Sequence, residues 1–123
     1  MLKIAPETDL EDDVAELDDD EIYCAVCSHT ATRGRWRISK NGEHKHTLAN
    51  PLGRVFRVLC FKEAPGVAGS GDATPTFTWF PGYEWQLAFC RGCKAHMGWL
   101  YAREDSPGVF FGLIQSALSS TKQ

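Results

Sequence analysis

The chain of 123 residues contains no run of about 18 or more apolar residues, so nothing in it is expected to span a bilayer. Its first residues, MLKIAPETDL, lack the basic start and apolar stretch of an export leader. A cytoplasmic, reducing location is therefore expected, where paired cysteines serve more often as metal ligands than as disulfides. There is no glycine-rich phosphate loop, no candidate Ser–His–Asp arrangement and no internal repeat. These absences point away from an enzyme.

What is present suffices for one domain. Hydrophobic residues make up 43%, and four Trp and seven Phe carry much of the area that can be buried. Charge is uneven. Residues 1–21 hold ten of the 16 acids and a single base, Lys3. With so few apolar residues, 1–21 reads as a disordered acidic tail and 22–123 as the folded domain. Beyond the tail, twelve bases face six acids, and four zinc-bound thiolates would reduce that excess to about +4.

The class is expected to be mainly β. Alternation over Arg35–Ile38 predicts a strand with Arg33, Arg35 and Arg37 on its wet face. Asn41-Gly42 and Pro81-Gly82 predict turns, the second of type II. The β-branched and aromatic run Val55–Phe61 predicts a buried strand. Residues 64–75, rich in Gly and Pro, read as a surface loop, and Thr76–Phe80 as a strand. Met97–Tyr101 predicts a strand with Met97, Trp99 and Tyr101 on one face, and Gly112–Leu118 a short closing helix.

Cys24-x-x-Cys27 and Cys90-x-x-Cys93 have the spacing of two metal knuckles. Two intervening residues let both sulfurs of a pair turn to one ion, and two pairs complete a tetrahedral zinc site. All-cysteine ligation leaves no open position for water, so this zinc is expected to be structural. Two disulfides or a redox pair are the competing readings. Cys60 is left over in the buried strand and reads as a small core residue. His29 and His96, beside the knuckles, stand where they would donate to a thiolate, while His44 and His46 read as structural or exposed.

Trp79 and Trp85 flank the Pro81-Gly82 turn, and Trp99 follows the second knuckle on the same strand as Tyr101. Burial statistics alone make them core residues. The ordered motifs Thr78–Trp85, Cys90-x-x-Cys93, His96-Met97-Gly98-Trp99 and Phe111-Gly112-Leu113, with Asn50-Pro51-x-Gly53 and the first knuckle, carry more than that. Together they resemble the CULT domain, the thalidomide-binding domain of cereblon, over about residues 22–118.

That resemblance implies two antiparallel sheets meeting at a zinc apex, the β-tent fold. It also implies a binding site for a cyclic imide, either a small molecule of the glutarimide or thalidomide type or an imide at a damaged protein end. Trp79, Trp85 and Trp99 would form the box with Tyr101 at its base. The Phe77 carbonyl and the Trp79 N–H would meet the imide edge, and Asn50 and Pro51 the rim. Phe77 stands where vertebrate cereblon has histidine. The ligase-docking and protease-like parts of cereblon have no counterpart in the sequence.

Three rival readings compete. The Arg33, Arg35, Arg37 stripe suits a nucleic-acid binder of the zinc-ribbon kind, although no nucleic acid is expected beside an acidic tail. An enzyme related to methionine sulfoxide reductase B would need Cys60 as a reactive thiol. An interaction module of the yippee type would have the fold without a small ligand.

Overall fold

A computed structural model describes residues 20–103 and 106–121. Most of the expected acidic tail, residues 1–19, lies outside the described residues. The class is mainly β, with no α-helix among the described residues. No helix there is long and apolar enough to cross a membrane.

Two antiparallel sheets make up the fold. The small one has the order β2-β1-β9, from β1 (Glu21–Cys24), β2 (Thr30–Arg33) and β9 (Leu118–Ser119). The large one contains β3 (Lys45–Ala49), β4 (Val55–Phe61), β5 (Val67–Thr74), β6 (Glu84–Cys90), β7 (His96–Arg103) and β8 (Ser106–Ile114). Its order is β3-β4-β8-β7-β6-β5.

Each face of the large sheet carries a core, and alternation along β4 shows how. Leu59 and Phe61 point to a core shared with Cys24 and Ala31 of the small sheet. Phe56, Val58 and Cys60 point the opposite way, to an aromatic core with Phe80, Trp99, Tyr101 and Phe110. There Tyr101 stacks on Phe110 at 4.8 Å, and Phe80 meets Tyr101 edge-on at 4.9 Å.

Several elements differ from the sequence expectation. Glu21 already belongs to β1, and Asp20 is anchored by ion pairs to Arg33 and Arg35 at 3.1 and 2.8 Å, so order begins before Ile22. The segment 35–38 is no strand: Gly34–Trp36 form a 3-10 turn, and Arg37 makes only an isolated bridge to Phe61. Much of the expected 64–75 loop is β5, an edge strand with poor propensity held by its ladder to β6. Residues 76–80 form no strand. Pro75–Thr78 is a tight turn closed by Thr78 N–H to Pro75 O at 3.1 Å, and the next residues bend across the aromatic face.

The closing helix is absent too. β8 runs to Ile114, followed by a 3-10 turn (Gln115–Ala117) and β9. Met97, Trp99 and Tyr101 are all buried but do not share a face. A bulge shifts the β6–β7 register between Ala88↔Gly98 and Phe89↔His96, sending Met97 to the small-sheet side and Trp99 and Tyr101 to the aromatic side. Gly98 makes the bulge possible, because its φ is 152° and a Cβ there would lie 2.1 Å from the Gly112 carbonyl oxygen.

The turns expected at Asn41-Gly42 and Pro81-Gly82 are present. The first has φ of 53° and 87° and reciprocal bonds between Lys40 and Glu43, which is type I′. The second has Gly82 at φ 94° and Tyr83 N–H bonded to Phe80 O at 2.9 Å.

Candidate functional site

Two sites stand out: a four-cysteine centre at the meeting of the sheets, and an aromatic cavity beside it.

The cysteine centre is built from one local motif used twice. Cys24–Cys27 caps the β1–β2 hairpin and Cys90–Cys93 the β6–β7 hairpin. In each, the first cysteine donates its N–H across the hairpin, Cys24 to His29 O at 2.8 Å and Cys90 to Ala95 O at 2.9 Å. The residue after the second cysteine returns an N–H at 2.9 Å, Ser28 to Cys24 O and Lys94 to Cys90 O. Ser28 and Lys94 both adopt positive φ, 66° and 68°, which tightens the knuckle. Backbone N–H groups of Val26 and Gly92 point at the Cys24 and Cys90 sulfurs at 3.4 and 3.3 Å.

All four Sγ atoms lie within 4.8 Å of one another, with Cys24–Cys93 and Cys27–Cys90 each 3.7 Å apart. Tetrahedral metal–thiolate bonds of about 2.3 Å would place sulfurs about 3.8 Å apart. The centre thus has the donor set and spacing to hold one metal ion. The expected imidazole bond to a thiolate is replaced at His96 by one to the backbone. His29 contributes its backbone N–H to the Cys27 sulfur, and the His96 ring bonds its Nε2 to Gly98 O at 2.9 Å.

The aromatic cavity has a volume of about 1060 Å³ and receives every residue expected at the box: Asn50, Pro51, Phe77, Trp79, Trp85, Trp99 and Tyr101. Trp79 and Trp99 meet edge-to-face at 4.9 Å and 81°. The indole N–H groups of Trp79 and Trp85 are already used by the backbone: Trp79 Nε1 donates to Ala49 O at 2.8 Å, and Trp85 Nε1 to Thr76 O at 2.7 Å. These bonds pin the 75–80 segment to β3 on one side and β6 on the other. Trp99 is 8% exposed and Phe77 72%, so the cavity grades from a buried floor to an open lip.

Asn50 stands at the rim of the cavity, where it shapes the backbone. Its Oδ1 accepts from Leu52 N–H at 3.0 Å and Arg54 N–H at 2.9 Å, fixing the turn from Asn50 to Arg54. Phe77 has φ 57° at the third position of the Pro75–Thr78 turn. Among the described residues, its carbonyl and the Trp79 backbone N–H take no protein hydrogen bond.

Sequence reasoning missed other lining residues. Phe56 packs edge-on against Trp99 at 5.2 Å, and alternation with Val58 on β4 was the available signal. His96 presents its ring to Trp99 at 5.3 Å and 87°, and burial followed by the nearby Arg54 charge lowers its pKa. Arg54 and Arg57 enter the cavity lining without any acidic neighbour in it. Tyr101 is 1% exposed, and burial raises its phenol pKa.

The features that favoured rival readings look different in place. Arg33 and Arg35 are drawn into ion pairs with Asp20 and Glu21, so the expected basic stripe is largely neutralised. Cys60 is 0% exposed, and burial pushes its thiol up to about 11.

No family model matches the chain. The chain is similar to protein cereblon of Danio rerio, with 40% identity over 105 residues covering 81% of this chain and 24% of that protein. It is similar to protein cereblon of Drosophila grimshawi, at 39% over 107 residues (78% of this chain, 15% of that protein), and of Gallus gallus, at 40% over 72 residues (56% and 16%). The chain spans about a quarter or less of the length of these curated relatives. The described two-sheet body with its four-cysteine apex is a cereblon-like domain of the CULT type.

Proposed function

We propose that this domain binds cyclic imides, without catalysing a reaction on them, in the cavity formed by Trp79, Trp85 and Trp99, and that the four cysteines hold a structural zinc ion. One observation carries the imide reading. The indoles share a cavity with a free backbone acceptor at Phe77 and a free donor at Trp79, two residues apart. A glutarimide offers one N–H between two carbonyls, an edge that pairs with such groups as a strand edge does. Its aliphatic remainder packs against electron-rich indole faces. A site with buried, preset polar groups penalises any analogue that lacks the donor.

Zinc is favoured over other metals by four thiolates at tetrahedral spacing. Catalysis is disfavoured because Cys60, the thiol outside the cysteine centre, is fully buried and hard to ionise.

Titration with glutarimide, followed by tryptophan fluorescence, tests the reading. Saturable binding is expected, with N-methylglutarimide about 10- to 100-fold weaker, the loss expected when a polar group is left without its partner. Because Trp99 also serves the core, Trp85→Ala is the milder variant and should abolish the signal change, with the far-UV spectrum and urea midpoint checking that the fold survives loss of the Trp85–Thr76 bond. Equal affinity for the N-methyl compound, or no binding by folded wild type, would overturn the reading.

A further inference from the structure

The cavity is much larger than the ligand just proposed. A six-membered imide displaces only a few waters' worth of space, on the order of 100 Å³. The cavity measures about 1060 Å³ and runs past the tryptophans along the start of β4 to the Gln115–Ala117 turn. The large sheet opens there: the β4–β8 ladder stops at Val58↔Ile114, so among the described residues Val55–Arg57 have no strand partner on that side. Extended backbone beside a cavity suits an extended peptide.

The charge of this extension is one-sided. Arg54 and Arg57 line it, and no Asp or Glu does. Among the described residues neither arginine has a carboxylate within ion-pair distance, whereas Arg33 and Arg35 both do. Arg54 is held across the Phe56 ring at 4.9 Å, which fixes its guanidinium next to the aromatic box. An arginine fork presents paired donors to carboxylates.

Resting on the imide reading, we infer that the occupant is a polypeptide end in which the residues just before a terminal cyclic imide are acidic. The imide fills the tryptophan box, and the preceding chain runs along Val55–Arg57, where Arg54 and Arg57 take its carboxylates.

Three short peptides ending in the same cyclic imide, preceded by Glu-Glu, Ala-Ala or Lys-Lys, test this beside free glutarimide. At low salt, affinity should fall in the order Glu, Ala, Lys, with Glu about tenfold above Lys, as expected for two exposed charge pairs. The ratio should shrink toward one in 0.5 M salt. It should invert in Arg54→Glu/Arg57→Glu, whose substitutions are at exposed positions. Reading a ratio on one protein removes any general loss of affinity, and Arg57→Ala alone should already cut the preference from about tenfold to about threefold. Equal affinity for the three peptides with glutarimide still bound would overturn this inference and leave the imide reading standing. Failure of glutarimide itself would overturn both. Displacement of the Glu-Glu peptide by a short oligonucleotide at equal potency would assign the arginines to nucleic acid and overturn it as well.

Discussion

Phe77 occupies a backbone conformation that glycine normally takes at the third position of such a turn. An L side chain there costs roughly 1–2 kcal/mol. The ring recovers little of this by packing, since it is 72% exposed. Its turn does leave an acceptor carbonyl unused beside the cavity, and strained residues of this kind concentrate at ligand clamps. His44 is a second costly residue. Its Nδ1 donates to Ile38 O at 3.0 Å, its Nε2 is buried without a partner among the described residues, and burial lowers its pKa. The neutral ring is thus the form that folds. Stability gained from it is present above the unfolded value of about 6.5 and is lost as pH falls toward the lower folded value. Urea midpoints should therefore decline from pH 7.5 to 5.5, and His44→Phe should show a shallower decline. Identical slopes in the two proteins would refute this.

Among the elements, the β7 bulge decides most about the site. By sending Trp99 to the aromatic face and Met97 to the small-sheet side, it lets one strand serve both cores. Gly98→Ala would drive a Cβ into the Gly112 carbonyl, so β7 and β8 must part. A loss on the order of 3 kcal/mol is expected, read as a lower urea midpoint, with weaker imide binding in the protein that remains folded. A midpoint unchanged within 0.5 kcal/mol of wild type, about the spread of surface substitutions, would show that the bulge is not needed. Elements of this kind also mark the limit of reading from sequence. The two knuckles and both Gly turns were legible, because spacing and positive φ are local properties. The ordered motifs around the tryptophans also placed seven residues on one cavity wall, though they said nothing of Phe56, His96, Arg54 or Arg57. The bulge was not, because alternation alone carries no sign of an inserted residue. β5 was hidden as well: Val67–Thr74 has little strand propensity and is ordered by its neighbour β6. Arg54 and Arg57 escaped because nothing near them in sequence reveals that β8 stops short of the start of β4.

At the scale of the molecule, the cysteine apex joins hairpins from different sheets, with Cys27 and Cys90 separated by 63 positions. A metal ion there restrains the unfolded chain as a long-range crosslink does, by about 4 kcal/mol. Stripping it with a strong chelator at neutral pH should lower Tm by on the order of 15–20 °C, and added zinc should restore it. An unchanged Tm in metal-free protein, verified by elemental analysis, would show that the apex holds without an ion.

After Ile114 the chain leaves the large sheet, turns through Gln115–Ala117 and enters the small one as β9. That crossing is also a wall of the cavity. An occupant pressing on this wall bears on the strap between the two sheets, and Ala25 N–H holds the strap at Ala117 O, 2.9 Å away, inside the first knuckle. Cavity and cysteine apex are thus tied to one strap of chain, and an occupant of the first is expected to slow amide exchange at Ala25 in the second; unchanged exchange on ligand binding would show that the two are independent.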